Sequence, residues 1–300
     1  MSHAPSPAAR LAAASALLAT LSLAPTCLAS AFVRGAYYQL GDADPGAAAG
    51  AVGNDPTIDS FSDALNLKRT GSPHYAADVP ALGPAGDKLS MSFANIGLGG
   101  PAFPAAYGRS DPLPVVVQGI ALETWVRAGP TNLDLPVGTG SREELLAYNG
   151  DPSANGFGFF LAGDNYVVRL GAPAAPVGGP AGTGNDHVLG PATVGAWHHL
   201  GYVYSLGTST YYYDGKPLST STTDPAPLGA TAGFFLGGRT GIDSVEYGFN
   251  GWLDEVRYQS FNPLSAGAFA PDAFLITPEP GGLALLSAAA LLLLRRRERQ

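Results

Sequence analysis

The side chains in this sequence that could do chemistry are mainly carboxylates and imidazoles: 24 Asp and Glu and five His, beside a single Cys. Asp254 and Glu255 are adjacent, which suggests acid/base chemistry, but neighbours on a regular strand point to opposite faces, which favours structural use. Glu143 and Glu144 are likewise adjacent, near a loop end, while Glu123 and Glu246 stand alone. Cleaving a glycosidic bond with retention takes two carboxyl groups about 5–5.5 Å apart. A strand supplies that spacing from positions i and i+2 or i+4, and no Glu-x-Glu or Glu-x-Asp-x-Glu occurs. His198 and His199 follow Trp197 and would also face opposite ways, so a strand cannot turn both onto one metal. His74 and His187 lack any triad context, and there is no Gly-x-Ser-x-Gly elbow. No catalytic residue and no metal ligand is therefore assigned. Asp42 and Asp44, with Asn54, Asp55 and Asp59 beyond, could supply calcium oxygens from loops. The same residues serve equally as turn caps, so no cofactor is expected, calcium being the one candidate. Tyr211-Tyr212-Tyr213 should expose a ring, and Tyr212 could stack on a sugar.

The elements that must position these groups are short and β-like. With 40 Gly and 26 Pro, long helices are excluded except at the two apolar ends. Strands are expected over 35–40, 89–94, 115–128, 198–204, 210–213, 234–237 and 252–260. In the third, Ile120, Leu122, Thr124 and Val126 share one face and Ala121, Glu123, Trp125 and Arg127 the other. Residues 157–161 and 166–170 form a hairpin around Gly163 and Asn165, and Asp214-Gly215 marks a tight turn. Residues 172–191 read as a Gly/Pro/Ala loop. Several strands separated by turns, with no helical pattern between them, indicate an all-β, antiparallel two-sheet sandwich.

Both ends of the chain carry an export pattern. Arg10 precedes an Ala/Leu run from Leu11 to Leu23, then Pro25 and small residues, the order of a secretory signal peptide over residues 1–31. Cys27 would leave with it, and the mature protein would hold no disulfide. At the other end, Pro278-Glu279-Pro280 is followed by an apolar run from Leu283 to Leu294 and by Arg295-Arg296-Arg297. That run is short against the roughly 20 residues of an unaided membrane span. The pattern resembles the PEP-CTERM sorting signal of Gram-negative bacteria, which implies an exosortase-type processing enzyme as partner. Pro278, Glu279 and Pro280 would be the sorting motif, and Arg295, Arg296 and Arg297 the membrane-retention cluster behind a short transmembrane helix. The expected organisation is a signal peptide, a sandwich domain over 32–270, a linker over 271–277 and the signal over 278–300. Localisation would be transient at the inner membrane, then in the cell envelope or extracellular matrix.

Between Phe32 and Ile276, eight Arg and three Lys stand against 22 acids, a net charge of −11. This argues against nucleic acid and anionic membrane surfaces and suits cations or neutral glycans. Gly195-Ala196-Trp197-His198-His199, then Tyr213-Asp214-Gly215-Lys216, then Gly251-Trp252-Leu253-Asp254-Glu255-Val256-Arg257 occur in order. With Glu123-Thr124-Trp125-Val126 upstream, they resemble the laminin G-like, concanavalin A-like jelly roll. The resemblance implies two curved sheets, one concave, with rim loops that hold calcium or a glycan. It does not fix the ligand, because the fold hosts many functions. The expected function is an exported, non-catalytic binding or adhesion module meeting an exopolysaccharide or another glycan, at unassigned binding residues. The alternatives are a secreted glycoside hydrolase of the same fold and a structural matrix protein.

Overall fold

The computed structural model describes residues 32–61, 65–93, 105–114, 119–130, 143–151, 155–171, 185–224, 226–227, 233–240 and 245–264. The signal peptide, the linker, the sorting motif and both terminal helices expected from the sequence lie outside the described residues. All regular structure within them is β, and none of it is a helix long and apolar enough to cross a membrane.

One sheet has eight strands. Its path runs β13 (Lys216–Ser221), β12 (Thr208–Tyr213), β11 (Trp197–Ser205), β6 (Gly119–Ala128), β17 (Gly251–Phe261), β4 (Ser90–Phe93) and β3 (His74–Ala76), and β1 (Phe32–Tyr38) also pairs with β17. The second sheet has seven: β10 (Asn185–Pro191), β9 (Asn165–Leu170), β8 (Asn155–Ala162), β7 (Glu143–Asp151), β14 (Phe234–Leu236), β5 (Ala106–Arg109) and β2 (Lys68–Thr70). A two-stranded ribbon, β15 (Arg239–Thr240) with β16 (Val245–Glu246), completes the set. Every pairing is antiparallel, as the two-sheet reading requires.

Alternation dictates the core. Ile120, Leu122 and Val126 of β6 enter it with Leu200 and Tyr202 of β11, and meet Phe157, Phe159 and Leu161 of β8 from the other sheet. Phe157 bridges the two sheets, with its ring 6.2 Å from those of Tyr202 and Tyr258. Many of the largest buried side chains are tyrosines, and their hydroxyls reach out of the core to pin loops. Tyr38 donates to Leu65 O at 2.6 Å, Tyr258 to Pro114 O at 2.6 Å and Tyr107 to Asn54 O at 2.8 Å. Loops rich in Gly and Pro have few apolar side chains of their own, so a hydroxyl anchored to a backbone carbonyl does that work. Trp125 is buried and Trp197 half-buried at the margin, where its Nε1 donates to Asp78 Oδ1 at 3.2 Å.

The hairpins follow their turn chemistry. Asp214 (φ 48°) and Gly215 (φ 72°) are both left-handed between β12 and β13, the geometry that matches strand twist in a two-residue turn. One expectation fails: residues 185–191, read as loop, form β10, an edge strand paired with β9. Its Gly and Pro content hid it, and an edge position tolerates both.

The topology has one feature that matters for the site. On its β4/β1 side, β17 changes neighbour along its length. Gly251 to Leu253 pair with β4, whereas Val256 to Phe261 pair with β1. Tyr38 lies opposite Val256, so the opening and closing strands meet. Between the two pairings, Asp254 and Glu255 occupy a seam with no strand on that side, and the register to β6 breaks there in a bulge.

Candidate functional site

The bulge decides where the acidic pair points. Leu253, Val256 and Tyr258 all enter the core. Two residues, not one, lie between Leu253 and Val256, so one extra residue has been inserted. Glu255 is that residue, at φ 50°, in the left-handed region that side chains seldom adopt. The expectation that Asp254 and Glu255 diverge to opposite faces is thereby overturned, because it assumed a regular strand. Both acids adjoin one cluster at the seam.

Asp42 comes to the seam from the turn after β1, and Asp87 from the loop entering β4. One carboxylate oxygen each from Asp42, Asp87 and Glu255 lie within 4.8 Å of one another. Asp42 Oδ2 accepts from Lys88 N at 2.9 Å, Glu255 Oε2 accepts from the Tyr37 hydroxyl, and Asp254 Oδ1 accepts from Glu255 N at 2.9 Å. Neither oxygen of Asp87 nor Oδ2 of Asp254 meets a donor from outside the cluster; the Asp87 carboxyl instead contacts those of Asp42 and Asp254, the latter 0% exposed. The electrostatics follow. Burial, then contact with Asp42 and the charge of Glu255, pushes Asp87 up to about 8. Burial, then the charges of Asp87 and Glu255, drives Asp254 well above the usual carboxylate range. Burial takes Glu255 to about 7, with Asp42 and Glu123 raising it against the Tyr37 hydrogen bond and Arg257. Raised in this way, part of the cluster stays protonated at neutral pH, and its carboxyls meet one another through shared protons.

Of the loop acids read from sequence, only Asp42 joins it. Asp44 accepts from Thr57 Oγ1, Ile58 N and the Tyr75 hydroxyl. Asp59 accepts from Tyr37 N, Phe61 N and Leu65 N, and Asp55 from Arg69 N. Asn54 donates its side-chain amide to Pro45 O. These four are caps, the alternative their residue types also allowed.

Glu123 does not stand alone. Two residues beyond the bulge, Arg257 lies opposite Glu123 on β6 and binds its Oε1, while His199 Nε2 lies 3.0 Å from Oε2. Glu123 is 2% exposed and His199 0%, with the Trp125 ring edge-on to the imidazole at 5.1 Å. Glu144 caps Asn250 N at 2.9 Å, and Glu143 lies 3.5 Å from Arg169. His198 faces away from His199, as strand geometry requires. It stacks on Tyr213 at 4.9 Å and pairs with Asp214 at 3.1 Å. Nearby, His187 stacks on Tyr211 at 4.3 Å and lies 3.1 Å from Asp224, which also accepts the Tyr211 hydroxyl. Burial raises both aspartates, but hydrogen bonds outweigh it and leave Asp214 and Asp224 below the usual range. Tyr212 is no sugar platform, because it packs into a buried cluster with Ala121, Val203 and Phe261.

Sequence reasoning missed Asp87, although one signal for the seam was present. In a strand whose Leu253 faces inward, regular alternation would bury Glu255 in the core, and a charge at an inward position marks a bulge.

Among proteins of known structure, the chain is similar to domain 4 of AbnA, a GH43 extracellular arabinanase from Geobacillus stearothermophilus, in complex with arabinotriose. Identity is 16% over 71% of this chain and 88% of that one, with a TM-score of 0.44. It is also similar to the binding domains of botulinum neurotoxin serotypes G and D. These are 11% and 8% identical over 68% and 81% of this chain, with TM-scores of 0.44 and 0.47. The chain spans 46% and 50% of the length of those two. No curated protein matches it. Residues 106–266, more than half of the sequence, match the concanavalin A-like lectin/glucanases superfamily, and the chain belongs to that superfamily.

Proposed function

We propose that this protein is an exported, non-catalytic binding module that attaches to a glycan of the extracellular matrix and is sorted through an exosortase-type enzyme. The superfamily joins sugar-binding with sugar-cleaving proteins, so the choice rests on the carboxylates. One observation carries it: Glu123 is buried, with its two oxygens taken by Arg257 and His199. A carboxylate so engaged is a poor nucleophile or proton donor, and retaining hydrolysis needs two free ones facing a cleft. Export is supported by the two terminal patterns, with Pro278-Glu279-Pro280 as the sorting motif and Arg295-Arg296-Arg297 as the cluster that holds the tail inside during processing.

Two measurements test this. Binding of the full chain to an array of bacterial exopolysaccharides and plant glycans should give a saturable signal without release of reducing sugar. Reproducible hydrolysis would reverse the reading in favour of a glycoside hydrolase, and silence across the array would favour a structural matrix protein. Replacing Pro278, Glu279 and Pro280 by Ala should leave the unprocessed precursor in the inner membrane, seen as a larger band on fractionation. Normal maturation of that variant would remove the sorting assignment.

A further inference from the structure

We propose that residues 265–276, which lie outside the described residues, dock along the outer face of the eight-stranded sheet and seal it with the chain's own tail. Alternation and register put Arg257, Gln259 and Phe261 of β17 on one side with Ala121 and Glu123 of β6 and Val203 of β11. Their neighbours Leu122, Tyr202 and Tyr258 enter the core, so this side is turned away from the second sheet. An outer face is ordinarily wet. Yet Ala121, Val203, Tyr212 and Phe261 form an apolar cluster in which no member is more than 7% exposed. Gln259 is 2% exposed, and its Oε1 meets no donor. Among the described residues, no further apolar side chain packs against the cluster. Side chains buried to this degree are covered, and their burial arises within the one chain, so the cover is its own.

Continuity selects the segment. Phe261 ends β17 and belongs to the cluster. Directly after it, Asn262 Oδ1 accepts from Leu264 N at 3.0 Å, a side-chain-capped turn that redirects the chain at that spot. Residues 265–276 then hold Phe269, Phe274, Leu275 and Ile276 with one charge, Asp272. Laid back antiparallel to β17 at about 3.3 Å per residue, Phe269 reaches the cluster and Asp272 reaches Arg257, which lies about 13 Å from Phe261 along the strand. Gln259, between those two points, offers its Oε1 to a backbone N–H of the segment, and Phe274 comes toward Trp125. Other segments fit less well. Residues 94–104 and 131–142 start from the end where Phe93 and Ala128 both lie opposite Gly251, about 30 Å from Phe261. Residues 172–184 have no apolar side chain beyond Ala and Pro except Val177, and residues 1–31 are expected to leave as the signal peptide.

Docked in this way, residues 271–276 are part of the domain rather than a free linker. The sorting motif at Pro278 then starts from the domain surface, and this part of the outer face is closed to a glycan. The inference stands whether or not the protein binds a glycan elsewhere.

The test is proximity in the full chain, held in detergent for its apolar ends. With Cys27→Ala removing the natural thiol, a short bismaleimide should join Val203→Cys to Ala270→Cys within one molecule, at a rate independent of protein concentration. Val188→Cys, exposed on edge strand β10 of the other sheet, should not be joined to Ala270→Cys. Absence of the first cross-link, or equal cross-linking of the two pairs, would overturn the proposal. A second reading comes from stability. Phe269→Ser with Phe274→Ser should lower the thermal midpoint by on the order of 5–10 °C. Val203→Ser should lower it too, and the combined drop should be smaller than the sum, because both changes remove the same contact. An unchanged midpoint in the tail variant, or a strictly additive drop, would equally overturn the docking. Should the tail variant fail to fold, the cross-link decides, since its Cys replacements leave both aromatic side chains in place.

Discussion

The eight-stranded sheet has carboxylates near both of its sides, and they are treated in opposite ways. Toward β12 and β13, Asp224 has the Tyr211 hydroxyl and His187, and Asp214 has His198 and the His199 N–H, and both carboxyls lie below their usual range. At the β1–β17–β4 seam, Asp87 and Asp254 have oxygens with no donor and Glu255 has one hydroxyl, and all three lie above that range. Burial pushes upward on both sides. What differs is the supply of donors: hydroxyls and imidazoles outweigh burial on one side, and on the other carboxylates face carboxylates. The first side is complete in itself. On the second, the carboxyls are left to share protons with one another.

The largest expected effect comes from extending the seam by one residue pair. Arg257→Met keeps much of the apolar stem but removes the guanidinium from Glu123, leaving a buried carboxylate whose Oε1 has lost its cation. Removing one partner of a buried pair costs about 3–5 kcal/mol. Urea unfolding should show a loss of that order, and a change below about 1 kcal/mol would mean that Glu123 belongs with the seam and that the two sides do not differ in kind.

Parts of this arrangement were legible in the sequence for identifiable reasons. The alternation from Gly119 to Ala128 separated core side chains from Glu123 and Trp125, because period 2 maps directly onto strand faces. Asp214-Gly215 announced its turn, since those two residue types tolerate positive φ. β7 was harder, because its register shift between Leu145 and Ala147 destroys the period. β13 was hidden by composition: Lys216 to Ser221 are mostly exposed on an edge and so carry no apolar signature. The seam was illegible for a different reason. It brings together Asp42, Asp87 and the Asp254-Glu255 pair, and nothing local says that β1 and β4 both border β17. The same loss affected Glu123, whose partners Arg257 and His199 arrive by register from two other strands.

A middle-sized effect tests the completed side. Asp224→Asn should cost on the order of 1.5–3 kcal/mol at pH 7, because it weakens a charge-assisted bond from Tyr211 and removes the carboxylate that faces the His187 ring. A carboxyl whose folded-state pKa is depressed contributes stability above its unfolded value, about 3.9, and loses it as pH falls through the folded one. The gap between the two proteins should therefore be level from pH 7 to about 5 and close below about 4. A gap that is the same at pH 3 as at pH 7 would show that the charge of Asp224 is immaterial.

The smallest effect is the sharpest comparison, because it separates pairing from burial. Asp214 makes the same kind of contacts as Asp224, with an imidazole at 3.1 Å and a backbone N–H at 2.9 Å, but its side chain is 44% exposed. Asn tolerates the left-handed conformation that Asp214 adopts at φ 48°, so Asp214→Asn leaves the turn intact and changes little besides the charge. Water and salt screen an exposed pair, and the loss should be only about 0.2–1 kcal/mol at low ionic strength, shrinking further in 0.5 M salt. The sign of the pH dependence is that of Asp224: present above the ordinary carboxylate range and gone as pH falls through the depressed value. If Asp214→Asn proved as costly as Asp224→Asn, exposure would not govern what a paired carboxylate contributes here. The contrast with the seam would then rest on pairing alone. If it is several-fold cheaper, burial sets the size of each effect and the presence of a donor sets its sign, which is the same rule that drives Asp254, fully buried against the Asp87 carboxyl, well above the usual carboxylate range.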